Sequence, residues 1–159
     1  MAAIFLELGK AVFICQSLEV SLRFLNAQLS QDDADEEDTF GASLDYYSNE
    51  TLGQSINNLR KRIDIPADLS DYLESGLTIR NEIVHDSVTK NIQRFADPKG
   101  RVEVEAELAF MKQEVKKRNV LVNKLLGTLS AKNGCSNAEL KRNADELWAF
   151  INQAPEATP

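Results

Sequence analysis

One stretch holds the residue types that can do proton and phosphate chemistry together. In Thr78-Ile79-Arg80-Asn81-Glu82-Ile83-Val84-His85-Asp86, the single histidine of the chain stands five positions after an arginine. An imidazole titrates near ~6.5 and exchanges protons at physiological pH, whereas a guanidinium stays charged and grips phosphate with a planar fork. At ~100° per helical residue, the apolar side chains Leu69, Tyr72, Leu73, Leu77, Ile79, Ile83 and Val84 cover one broad face, and Arg80 falls near its middle. An arginine in that place is not a simple solvated charge. A continuous helix sets His85 ~140° around from Arg80, on the edge that carries Asn81 one turn earlier. Arginine, amide and imidazole then flank one groove.

The elements that must hold this groove follow from the totals. At 159 residues the chain suits one domain with a real core and is too short for two comfortable ones. Charged residues at 27% and hydrophobic ones at 43%, with seven glycines and four prolines, leave long unbroken stretches that suit helices. A net charge of -7 argues against holding nucleic acid on a broad basic face, because that mode neutralises many phosphates. A narrow catalytic groove remains compatible with it. Cys15 and Cys135 form no disulfide framework, and one histidine makes no zinc ligand set. Neither a metal nor a cofactor is expected, and the cysteine usage reads as a reducing, cytoplasmic setting. The segment from Met1 to Ile14 is apolar, but Glu7 and Lys10 interrupt it and no basic region precedes it, so it does not read as a targeting signal. No run of about 18 apolar residues is present to span a membrane.

From Ile4, the residues Leu8, Ala11, Cys15, Leu18, Leu22, Leu25 and Leu29 recur at spacings of four and three, the seam of a long first helix. Cys15 lies in that seam and reads as a small buried hydrophobe rather than a nucleophile. Glu19 stands beside it, either as a buried partner for a cation such as Arg80 or at an exposed edge. Residues 31–43 concentrate like charge in Asp32 to Asp38 and read as an acidic loop, either simply solvated or competing with RNA for a basic groove. Tyr46 and Tyr47 lead into a shorter helix through Leu52, Ile56, Leu59 and Ile63, which ends in Arg60-Lys61-Arg62, a cluster that meets phosphates or faces water. Pro66 opens a helix from about Ala67 to Thr89 that carries the arginine and histidine in its middle.

Asp97-Pro98-Lys99-Gly100 is turn chemistry. Beyond it Val104, Leu108, Met111, Val115, Val122, Leu125 and Leu129 repeat the four-three spacing in a second long helix. Arg118 breaks this seam between Val115 and Val122, so it points inward or toward a partner, as a structural ion pair or as a substrate contact. Asn133-Gly134 stops that helix, and Ser136 caps a last one through Leu140, Ala144, Leu147 and Ile151, with Trp148 at the core edge and 153–159 as a frayed tail. The sequence holds no convincing strand, no Gly-rich phosphate loop and no internal repeat. The expected fold is all-α, an antiparallel bundle of about five helices in a single domain over 1–159.

Arg80-Asn81-Glu82-Ile83-Val84-His85 resembles the signature of the HEPN superfamily, an arginine, then a polar residue, then a histidine after four to six intervening positions. The order of a long helix, an acidic loop, a short helix, a motif-bearing helix and a second long helix resembles the same bundle over nearly the whole chain. The resemblance implies a metal-independent endoribonuclease, often a toxin or antiviral effector restrained by an antitoxin protein, in which two copies pair around a shared cleft. It assigns His85 as the base for the 2'-hydroxyl, Arg80 as the phosphate clamp and Asn81 as the residue that orients His85 or binds phosphate. Arg118, Arg60, Lys61 and Arg62 are then candidates for binding the RNA substrate. One histidine per chain leaves the two-proton task short, which a symmetric homodimer remedies. HEPN toxins paired with a minimal nucleotidyltransferase commonly carry a nucleotide-accepting tyrosine two places after the histidine, where this chain has Ser87. The superfamily also has catalytically silent members that act as nucleotide-binding, dimerisation or interaction modules, which is the alternative reading.

Overall fold

The computed structural model describes residues 1–31 and 40–131, and residue 142. The described residues contain six α-helices and one π-helical turn: α1 (Ala2–Gln31), α2 (Phe40–Tyr47), α3 (Leu52–Arg62), α4 (Ala67–Asn81), the π turn (Glu82–Asp86), α5 (Ser87–Asn91) and α6 (Pro98–Ala131). No strand occurs among them, so the class is all-α.

The two long helices form where the four-three seams were read. The buried residues include Ile4, Ala11, Cys15, Leu18, Leu22, Leu25 and Leu29 in α1, and Val104, Leu108, Val115, Leu121, Val122 and Leu125 in α6. They pack on each other along most of their length and run parallel. The Glu7 carboxylate pairs with Lys112 near one end, and further along both helices the Ser21 hydroxyl donates to Asn119 Oδ1 at 3.0 Å. The expected antiparallel arrangement therefore fails for this pair. It holds for α4: Tyr72 and Ser75 meet Arg118, whereas Glu82, just beyond the end of α4, lines a cleft with Ala106, Glu107 and Met111, so that α4 descends as α6 ascends. At the lower end Phe95 joins Ile4, Val104 and Leu108 in a second small core. There the start of α6 lies so close to the preceding chain that a Cβ on Gly100 would stand 2.6 Å from the Arg94 carbonyl oxygen, which only glycine avoids.

The region expected as one short helix is two. The chain turns at Ser48 to Glu50, and Thr51 caps α3 with a reciprocal pair of hydrogen bonds to Gln54, satisfying backbone donors that α3 cannot pair internally. Asn26, fully buried on α1, donates from Nδ2 to the Ser55 carbonyl at 2.9 Å and ties α3 to the core. Of the acidic loop expected over 31–43, Gln31 still belongs to α1 and 40–43 to α2. Residues 32–39, the helix expected from Ser136 apart from residue 142, and the tail 153–159 lie outside the described residues.

The motif-bearing segment is not one regular helix. Leu69, Leu73, Gly76, Ile83 and Ser87 are its buried line, with Arg80 occupying the seam position between Gly76 and Ile83. The α-helical ladder gives way at Glu82 and resumes at Ser87. Ser87 is buried, and its hydroxyl donates to the Glu82 carbonyl at 3.0 Å, giving a partner to an oxygen of the widened turn.

Candidate active site

In a π turn the backbone bond closes on the fifth residue rather than the fourth, so side chains five apart come onto one side. Arg80 and His85 have that separation. The Nη1 of Arg80 donates to His85 Nε2 at 2.9 Å and to Asn81 Oδ1 at 3.1 Å. The wide angle expected between arginine and histidine on a regular helix is therefore closed by the turn itself, and the three residues form one cluster. Guanidinium has donors only, so Nε2 is the accepting nitrogen and the neutral imidazole carries its proton on Nδ1.

Arg80 is held from below. Its Nε donates to Glu19 Oε1 at 2.7 Å, and the two side chains are 23% and 14% exposed. The other Glu19 oxygen lies 4.0 Å from Arg23 Nη2, and Arg23 Nε donates to the Glu50 carbonyl at 3.1 Å. One carboxylate thus sits between two arginines. Burial beneath the cluster pushes the Cys15 thiol up to about 11, a rise that the Arg80 charge only partly opposes, so Cys15 stays a protonated core residue as its place in the seam implied. His85, Asn81 and Glu82 are exposed, and Lys90 draws the Asp86 carboxylate aside at 2.9 Å. The cluster is a fixed cation beside a proton acceptor, open to solvent on one side. Arg80 Nη2 makes no hydrogen bond among the described residues and is the free prong of the fork.

The other candidate substrate contacts do not gather here. Arg118 is 4% exposed. Its Nε donates to the Tyr72 carbonyl at 2.8 Å, Nη1 to the Glu114 carbonyl at 2.7 Å and carboxylate at 3.1 Å, and Nη2 to the Ser75 hydroxyl at 2.8 Å. The guanidinium also stacks 4.0 Å from the centre of the Tyr72 ring. Buried and paired in this way, Arg118 makes the ion pair with Glu114 that its place in the seam allows. Arg60 pairs with the Ser70 hydroxyl and, at 2.6 Å, with Glu74, while Arg62 donates to the Tyr47 hydroxyl at 2.6 Å; of this cluster only Lys61 is exposed. Ser70, which Arg60 touches, is ten residues before Arg80, about 15 Å along the helix at 1.5 Å per residue, so this basic cluster is not part of the candidate site.

Sequence reasoning placed Glu19 beside the seam but left its direction open, and it did not include Arg23. Their spacing of four was the available signal, since it puts both on one side of α1. Ser87 was read only as the absence of a tyrosine, whereas its buried hydroxyl braces the π turn. Among the described residues no three His, Cys, Asp or Glu side chains converge as metal ligands, and no helix is long and apolar enough to cross a membrane. Compared with known proteins, the chain matches no family model, no curated protein and no solved structure.

Proposed function

We propose that the chain is an endoribonuclease of HEPN type that cleaves RNA without a metal. The observation that carries this reading is the 2.9 Å approach of Arg80 Nη1 to His85 Nε2, with Arg80 anchored by Glu19. RNA offers a 2'-hydroxyl next to its 3'-phosphate, so a base and a phosphate clamp must stand this close to each other. Nε2 takes the 2'-hydroxyl proton as the 2'-oxygen attacks phosphorus, Arg80 stabilises the charge on the phosphorane oxygens, and the bond to the 5'-oxygen breaks. The products are a 2',3'-cyclic phosphate and a 5'-hydroxyl, whose proton comes from a second acid. In the proposed two-fold dimer the partner's His85 supplies that proton. The biological setting that goes with this reading is a cytoplasmic toxin or antiviral effector restrained by an antitoxin protein.

Arg80→Lys is the test of the clamp. An ammonium keeps the charge but cannot hold Glu19, Asn81 and phosphate with one planar fork, so Arg80→Lys should lose nearly as much cleavage as Arg80→Ala, measured on single-stranded RNA in EDTA. Near-normal cleavage by Arg80→Lys would remove Arg80 from the mechanism. The dimer has its own test in Val88→Glu, at an exposed position on α5 just beyond the π turn. A two-fold axis near the motif brings each Val88 toward its counterpart, so like charges there should split the dimer in sedimentation and abolish cleavage with helical content intact. Full activity in a monomeric Val88→Glu would refute the shared cleft.

A further inference from the structure

In the resting site the base is occupied. The Nε2 lone pair that must receive the 2'-hydroxyl proton already accepts a hydrogen bond from Arg80 Nη1, and a lone pair so engaged cannot take a proton. The clamp is partly occupied as well, because Nη1 also serves Asn81 and Nε serves Glu19, leaving Nη2 as the prong without a hydrogen bond among the described residues. We infer that a phosphate flanked by a hydroxyl displaces the Arg80–His85 bond, so that binding of the substrate is what uncovers the base. This inference rests on the ribonuclease reading and adds how its site is switched on.

The exchange follows from the strengths of the bonds involved. An arriving phosphate oxygen meets Nη2 first. A bidentate grip then needs a hydrogen of Nη1, whose present acceptors, an amide oxygen and a neutral imidazole nitrogen, are both uncharged. A phosphate oxygen adds a second charge to the bond and a second, parallel contact to the fork, which neither uncharged acceptor can match, so phosphate wins that hydrogen. Of the two acceptors, His85 is the one that the ligand can repay with a donor. In a ribonucleotide the 2'-hydroxyl is the neighbour of the 3'-phosphate, so its O–H reaches Nε2 as Arg80 leaves. Nη1 and Nε2 then each keep a hydrogen-bond partner. Glu19 keeps Nε throughout, so the guanidinium pivots about a fixed point. A deoxynucleotide carries the phosphate without the hydroxyl and would leave Nε2 with water only, which makes the site selective for ribose at the binding step, since a 2'-hydroxyl is what distinguishes the two sugars.

The single histidine makes the test direct, because one imidazole gives one pair of nitrogen resonances. Protein labelled with nitrogen-15 at histidine and at backbone amides would be titrated with adenosine 3'-monophosphate, which has the vicinal hydroxyl and no leaving group, with its 2'-deoxy counterpart, and with inorganic phosphate. The expected result is that adenosine 3'-monophosphate shifts the Arg80 and Asn81 amides together with Nε2, at least ~10-fold more tightly than the deoxy compound, about 1.4 kcal/mol. Inorganic phosphate should shift the amides at higher concentration. Arg80→Gln combined with Glu19→Gln, a neutral pair that leaves no buried carboxylate unpaired, should place Nε2 at its released position without ligand and respond to none of the three. Equal affinity for ribose and deoxyribose, binding that leaves Nε2 unmoved, or no binding at millimolar concentration would each overturn the exchange. RNA cleavage measured on the same samples separates the two readings. Cleavage with an unmoved Nε2 defeats the exchange alone, and exchange without cleavage defeats the nuclease alone.

Discussion

Replacing His85 by alanine is expected to lower RNA cleavage at least ~100-fold, the smaller end of the contribution of one acid-base group, with unchanged folding. His85 is exposed, and its bond to Arg80 joins two groups that both reach solvent. A surface substitution of this kind changes stability by no more than about 0.5 kcal/mol. The measurement is the rate of cleavage of end-labelled single-stranded RNA in EDTA, with the product ends identified as 2',3'-cyclic phosphate. Thermal melting on the same preparation separates chemistry from folding. Cleavage that survives in His85→Ala would show that another group serves as base and would end the assignment of this histidine.

Arg118→Ala should do the reverse, reducing stability by about 3 kcal/mol, the lower end for breaking a buried ion pair, and acting on cleavage only through the fold. Truncation leaves the Tyr72 carbonyl, the Ser75 hydroxyl and the Glu114 carboxylate without their shared donor, and opens a hole beside Gly76. Gly76 belongs to this arrangement, because a Cβ there would stand 2.6 Å from Arg118 Cδ. At 2–4 °C per kcal/mol the loss corresponds to a fall of about 10 °C in melting temperature. Its pH dependence has a definite sign. Burial works to raise the Glu114 carboxyl, but hydrogen bonds from Lys117 and Arg118 outweigh it and hold the group below the ordinary carboxylate range. A carboxylate lowered by folding adds stability above its unfolded value and loses it as pH falls through the folded one. Arg118→Ala should therefore flatten the acid limb of the stability profile, with Lys117 keeping part of it. A variant that melts as the native protein does, yet has lost cleavage, would return Arg118 to the substrate-binding residues.

These two arginines also show what the sequence made legible. Each interrupts an apolar seam, and that interruption alone marked Arg80 and Arg118 as side chains not simply in water. The seams located α1 and α6 correctly because four-three spacing over thirty residues has no strand equivalent. Spacing says nothing of direction, so the parallel run of α1 and α6 had to come from which residues meet: Glu7 with Lys112 and Ser21 with Asn119. Nor could it distinguish the fates of the two arginines. Arg118 has a carboxylate one turn before it on its own helix, whereas Arg80 takes Glu19 from a helix 61 positions away in the chain. The π turn was the least legible feature. Regular periodicity is assumed when a helix is read from sequence, and the bond from the Ser87 hydroxyl to Glu82 is made only once Ser87 is buried against its neighbours.

A helix that widens for one turn has in effect taken in an extra residue without changing what lies before or after it. Removing a residue from inside that turn should therefore be tolerated where removal elsewhere is not. Val84 is the natural choice, since it is 38% exposed. With Val84 deleted, arginine and histidine stand four apart, the spacing at which an ordinary α-helix places side chains side by side. The buried line then runs from Ile83 to Ser87 with one position fewer, still within seam spacing. Deletion of Thr78, in the regular part of α4, rotates everything beyond it by a third of a turn. Melting temperature should fall far less for the first deletion than for the second, and the arginine and histidine should remain neighbours in a shortened, fully α-helical segment. Length variation between these two residues is thus something the backbone can absorb by exchanging one kind of helical turn for another.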